Sequence, residues 1–116
     1  GGVITADDVQ TTNATHTTLT SVTLANNTVY RFTAQIIARD TSGTDRAYYI
    51  VNTLVYRQGG GATLGTVNMQ LIDETAGALA WDATFTVSGN DLRLSVTGLA
   101  ATTIDWGCTL TYQSVS

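Results

Sequence analysis

From Tyr30 to Arg39 apolar and polar residues fall at alternate positions: Tyr30, Phe32, Ala34, Ile36 and Ala38 lie on one parity, and Arg31, Thr33, Gln35 and Arg39 lie between them. Side chains in an extended chain point to opposite faces in turn, so this pattern predicts a half-buried antiparallel strand and is incompatible with an amphipathic helix. The same period returns in the last third. Trp81, Ala83, Phe85 and Val87 alternate with Asp82, Thr84 and Thr86; then Leu92, Leu94 and Val96 alternate with Arg93, Ser95 and Thr97. Ser88-Gly89-Asn90-Asp91 between them reads as a hairpin turn whose Gly89 and Asn90 can both take positive φ. A last strand places Ile104, Trp106, Cys108, Leu110 and Tyr112 against Thr103, Asp105, Thr109 and Thr111.

The remaining segments are less regular. Leu19, Val22 and Leu24 are the apolar members of a Thr-rich strand ending at the turn signal Asn26-Asn27. Between Ala47 and Arg57 both parities are apolar: Tyr49, Val51 and Val55 on one, Tyr48, Ile50, Leu54 and Tyr56 on the other. Such a strand has a partner on each face, either a second layer or another subunit. After Gly59-Gly60-Gly61 a weaker strand runs from Ala62 to Ile72, with Val67, Met69 and Leu71 in alternation. Asp73 to Ala80 tolerates one turn of helix. Residues 1–16 read as an irregular polar arm tethered by Val3 and Ile4, and 17–116 as a single domain. The expected fold is an all-β antiparallel two-sheet β-sandwich, of jelly-roll or Greek-key type, with about seven or eight strands.

Composition narrows the function. Only 12% of residues are charged, the net charge is −4, and there is no proline. All five basic residues are arginines, dispersed along the chain, so no basic run is available to neutralise phosphates and no nucleic-acid partner is expected. The lack of lysine and proline also removes two usual means of discouraging edge strands from pairing, which suggests edges covered by neighbouring copies. No stretch approaches the roughly 18 apolar residues of a membrane span, so a soluble protein without membrane insertion is expected. Gly1-Gly2 reads as a cloning scar or a cut site within a longer polypeptide.

Catalytic chemistry lacks donors. His16 is the lone histidine and reads as solvated; Cys108 is the lone thiol and shares the inward parity of Trp106 and Leu110. No metal site and no cofactor are expected from such a set. Asp82 with Asp105 is the one carboxylate pair that could face a cleft as glycosidase acids do, and two solvated strand residues are the simpler reading. Asp7-Asp8 and Asp73-Glu74 follow no calcium-loop pattern. The triple glycine lacks the lysine of a phosphate loop, and Asn13-Ala14-Thr15 and Asn26-Asn27-Thr28 are chance-level glycosylation matches in a chain rich in Asn and Thr. No enzyme is expected. The candidates for an interface or a glycan contact are Tyr48, Ile50, Leu54 and Tyr56, which share one face of their strand.

Several strings together resemble a β-sandwich module of tailed-phage and prophage virion appendages such as tail fibres and tailspikes. They are the Thr-rich run from Val9 to Val29, Thr44-Asp45-Arg46-Ala47-Tyr48, Leu54-Val55-Tyr56-Arg57 with the triple glycine and Ala62-Thr63-Leu64, Ala80-Trp81-Asp82-Ala83-Thr84, Val87-Ser88-Gly89-Asn90, and Thr97-Gly98 through Ile104-Asp105-Trp106. His16 departs from it, standing where a proline is expected. The resemblance implies a virion location, assembly as a homotrimer with other virion proteins, and contact with a host surface polysaccharide or protein. It carries over no catalytic motif. A capsid decoration or fibre-spacer protein binding only other virion proteins is the alternative, and a depolymerase fragment a third.

Overall fold

A computed structural model describes residues 1–116 and contains eight strands. They are β1 (Gly2–Thr11), β2 (Thr17–Thr23), β3 (Thr28–Asp40), β4 (Arg46–Arg57), β5 (Ala62–Glu74), β6 (Asp82–Ser88), β7 (Asp91–Thr97) and β8 (Ile104–Val115). A single 3₁₀ turn, Ala76–Ala78, lies within the helix-tolerant stretch between β5 and β6. The strands form two antiparallel sheets, a large one of five in the order β1-β8-β3-β4-β5 and a small one of three in the order β2-β7-β6. The two-sheet sandwich expected from the alternation is therefore present. The nested pairing of β1 with β8 and of β2 with β7 is the wrap of a jelly roll, while β3, β4 and β5 stay in one sheet as a meander.

The core lies between the sheets. From the large sheet it takes Phe32, Ala34 and Ile36 of β3, Tyr49, Val51 and Val55 of β4, and Ile104, Trp106, Cys108 and Leu110 of β8. Facing them are Ala83 and Phe85 of β6 and Leu92, Leu94 and Val96 of β7. Burying a large side chain of this kind contributes about 1.5–3 kcal/mol relative to leaving it in water. Aromatic rings bridge the layers: Phe32 and Phe85 lie with centroids 6.3 Å apart, and Trp81 and Trp106 lie 6.1 Å apart at a 56° tilt. The Tyr49 hydroxyl donates to the Trp81 carbonyl at 3.2 Å, which ties β4 to the start of β6.

Residues 1–16 are not an irregular arm. Gly2–Thr11 is an edge strand of the large sheet, paired along its length with β8. Its alternation is hidden because a β-bulge interrupts it. Ala6 pairs with Cys108 and Val9 with Trp106, so Asp7 and Asp8 together oppose Gly107. Asp8 takes φ 57°, a left-handed conformation that Asp tolerates better than most residues. The extra residue reverses the parity: Ile4 and Ala6 face inward before the bulge, Val9 and Thr11 after it.

Bulges also answer the question of the unprotected edges. β2 carries one between Thr18 and Thr20, and β5 carries two, opposite Tyr48/Tyr49 and opposite Leu54. Three of the four edge strands are thus locally twisted out of register, which discourages pairing with a stray strand without lysine or proline. In the β6–β7 hairpin only Gly89 has positive φ, at 56°, the Gly-first pattern of a type II′ turn; Asn90 does not share it.

The unequal sheets leave β5 overhanging. Met69 and Leu71 pair with Val51 and Tyr49 and so point to the inner side, as their alternation predicts. Yet they are 44% and 46% exposed, because the small sheet is too narrow to cover them.

Candidate functional site: the outer face of the large sheet

β4 presents one parity to the core and the other to the outer face of the large sheet. Tyr48 and Ile50 are half-buried there, Leu54 is 54% exposed and Tyr56 is 40% exposed. The four share a face, as expected, but not a patch. At about 3.3 Å per residue, Tyr48 and Tyr56 stand roughly 27 Å apart along the strand. Register gives each end its own neighbours. Tyr56 pairs with Val29, which pairs on its far side with Val115, so these three form one apolar row across β4, β3 and β8. Leu54 sits beside Arg31. Tyr48 pairs with Ile37, an outward residue 62% exposed, and Ile37 pairs with Gly107 of β8.

The Tyr48 end is concave. Gly107 contributes no side chain at an outward position, and the Asp7–Asp8 bulge stands beside it. A depression of about 380 Å³ there is lined by Asp7, Asp8, Ile37, Ala38, Arg39, Asp105, Trp106 and Gly107. A second, of about 220 Å³, shares Asp7, Ile37 and Gly107 and extends to Gln35, Tyr48, Cys108 and Thr109. The Asp105 Oδ1 atom is buried in the protein and has no hydrogen-bond partner within it. Arg31, Arg46 and Arg57 donate to acceptors inside the chain, whereas Arg39 on the rim does not.

Two groups beneath this face are held neutral. Burial pushes the Cys108 thiol up, the Asp7 charge adds to this, and a backbone hydrogen bond at Ala6 opposes it. A buried thiol kept protonated is neither a nucleophile nor a metal ligand. Burial likewise pushes the Tyr49 phenol far above its ordinary range, with the Glu74 and Asp82 charges adding to the effect.

Asp82 and Asp105 do not form a catalytic pair. Asp105 projects from the outer face of the large sheet and Asp82 from the outer face of the small one, so they stand on opposite sides of the sandwich and cannot flank one bond. Asp73 and Glu74 are successive residues of β5 paired with Tyr48 and Ala47, and so point to opposite faces. No group of three or more His, Cys, Asp or Glu is placed to hold a metal ion. His16 is exposed in the connection from β1 to β2.

Sequence reasoning overlooked Ile37, Gly107 and the Asp7–Asp8 pair. Two signals were available. Ile37 is an isoleucine on the polar parity of β3, and Gly107 is a glycine in the middle of an otherwise regular strand, a position that often marks close approach of another group.

No protein-family model matches the chain, and no curated protein sequence does so either. Its fold is similar to part of phage tailspike proteins. The tailspike protein of Acinetobacter phage vB_ApiP_P1 matches over 96% of this chain and 21% of its own, with a TM-score of 0.52 and 11% identity. The tailspike gp49 of Acinetobacter baumannii bacteriophage Fri1, a capsular polysaccharide depolymerase, matches over 97% of this chain and 18% of its own, with a TM-score of 0.42 and 12% identity. The Acinetobacter baumannii phage AM24 tailspike matches over 95% and 26%, with a TM-score of 0.40 and 14% identity. At such identities the likeness is one of fold, and the chain spans about a fifth of the first tailspike's length. The two-sheet fold is thus similar to one portion of the vB_ApiP_P1 tailspike. No helix is long and apolar enough to cross a membrane.

Proposed function

We propose that this chain is a non-catalytic module of a phage tail appendage, a tail fibre or tailspike, that contacts the bacterial surface as part of an oligomer. The observation that carries this reading is the correspondence of 96% of the chain with one portion of a phage tailspike. The non-catalytic reading is supported by Asp82 and Asp105 projecting from opposite sides of the sandwich.

The outer face divides the work. The row Tyr56–Val29–Val115, with Leu54 beside it, is an exposed apolar strip suited to contact with a second and third copy. The concave Tyr48 end, with its charged rim, suits a polar ligand. Three copies on one shaft would raise the effective affinity of weak surface contacts roughly 10²–10⁴-fold through local concentration.

Mass in solution by light scattering tests the reading. A species of roughly three times 12.2 kDa is expected. A monomer at every concentration would overturn the trimeric appendage and favour a decoration or spacer module that needs its virion partners.

A further inference from the structure

Away from the Tyr48 end, the outer face holds another depression, of about 600 Å³, lying between Arg31 of β3, Asn52 and Leu54 of β4, and Gly65, Thr66 and Asn68 of β5. That volume falls within the roughly 300–1,000 Å³ of small-molecule sites. It lies against the β5 bulge opposite Leu54, and the bulge is held from both strands. The hydroxyl of the buried Thr53 reaches the Leu54 carbonyl at 3.2 Å and the Thr66 carbonyl at 3.1 Å. The chains approach so closely there that a Cβ added at Gly65 would come within 2.6 Å of the Leu54 carbonyl oxygen. Bulges commonly re-aim side chains beside binding sites, and this one sets Thr66 on the rim, across from Arg31.

A hydrogen-bond chain polarises the opposite wall. Arg31 Nη1 donates to the Thr33 hydroxyl at 3.1 Å, and that hydroxyl donates to Asn52 Oδ1 at 2.8 Å. The amide oxygen of Asn52 is thereby occupied, which leaves its NH₂ group to donate. Arg31 uses one N–H of the five that a guanidinium carries. Its cross-strand neighbours, Leu54 and Gln113, carry no charge, so the ladder does not neutralise it. No carboxylate lines the depression, although the chain as a whole carries a net charge of −4. The wall is thus one of donors around a cation, and an anionic acceptor complements it.

We infer that the depression between Arg31 and the β5 bulge is an oxyanion site, in which the Arg31 guanidinium and the Asn52 amide donate to the oxygens of a carboxylate, sulfate or phosphate group. It goes beyond the proposed surface contact and requires neither the oligomer nor the appendage.

The test is titration of the ¹⁵N-labelled chain with acetate and with sulfate, against chloride at matched ionic strength. Backbone amides, the Arg31 Nε–H and the Asn52 NH₂ signals are followed. At least one oxyanion should shift the Arg31, Asn52 and Thr66 signals saturably at millimolar concentration, while Arg39 and Arg93 only follow the chloride series. A response to acetate alone assigns a carboxylate ligand, and a response to sulfate alone a tetrahedral one; either supports the site. Asn52→Asp keeps the acceptor that the Thr33 hydroxyl needs, and so the fold, but puts a negative charge where the donor stood. It should weaken binding by at least roughly tenfold, as a built-in repulsion does. Arg31→Lys keeps the charge without the fork and should also bind more weakly. A response no larger than that to chloride, equal shifts at Arg39 and Arg93, or undiminished binding by Asn52→Asp would overturn the site. A monomer that binds the oxyanion would lose the trimeric reading and keep this one, and a trimer that does not bind it the reverse.

Discussion

The indole N–H of Trp106 donates to the Thr11 hydroxyl at 2.9 Å, a buried bond joining the first strand to the last. Thr11 reaches Trp106 only because the Asp7–Asp8 bulge reverses the parity of β1; without the extra residue its side chain would face solvent. A surface irregularity therefore decides a core hydrogen bond, and the same irregularity forms one wall of the depression over Gly107.

Thr11→Val keeps the shape and removes the acceptor, leaving the Trp106 N–H buried and unpaired. Stability should fall by about 1–3 kcal/mol. Thr11→Ser, which keeps the hydroxyl, should lose less. Urea unfolding followed by tryptophan fluorescence separates the two, and equal losses would mean that the methyl group, not the hydrogen bond, matters.

Gly65 and Gly107 should answer oppositely to the same change. Gly65→Ala drives a Cβ against the Leu54 carbonyl inside a bulge of β5, and such overpacking costs about 1–3 kcal/mol. Gly107→Ala meets no obstacle and gains strand propensity, stabilising by about 0.5–1 kcal/mol. Thermal unfolding of the two variants is the comparison.

Tyr49 should make the protein sensitive to alkali. Its folded-state pKa is raised, chiefly by burial, so the folded chain keeps a proton that the unfolded chain releases above about pH 10. The contribution is fully present below that pH. Above it, stability falls by up to about 1.4 kcal/mol per unit until the folded group itself ionises. Tyr49→Phe forfeits the bond to the Trp81 carbonyl but should flatten this part of the profile. An unchanged slope would assign the alkaline loss elsewhere.

If copies associate through the row Tyr56–Val29–Val115, a charge placed there must be desolvated on assembly. Tyr56→Asp should shift the light-scattering mass toward the monomer and leave the melting of the isolated chain within about 0.5 kcal/mol, as for most surface changes. Met69→Asp on the overhang of β5 is the control and should leave the mass unchanged.

Much of the fold was legible because strand alternation is local. β3, β6, β7 and β8 announce themselves through residues two apart, whatever partner they acquire, and the inward assignments of Tyr49, Trp106 and Cys108 follow from parity alone. β1 was illegible for the complementary reason. Its two halves have opposite parity, and the bulge that reconciles them is defined only by Gly107 across the ladder. The candidate face was half legible: Tyr48, Ile50, Leu54 and Tyr56 could be put on one side of β4, but Ile37, Val29 and Val115, which divide that side into two ends, belong to strands whose register no single segment encodes.

For every strand but β1 the sequence by itself determined that the segment is strand, where the chain turns, and which parity of each regular strand is apolar, since these depend on side-chain spacing of two and on the backbone freedom of residues such as Gly89. Only the tertiary structure decided that Asp82 and Asp105 lie on opposite sides, that Met69 and Leu71 remain uncovered, and that a glycine in β8 opens onto two aspartates from β1. Those outcomes depend on which strands pair, in what register and under how wide a second sheet, and such long-range choices are made by packing the whole core at once.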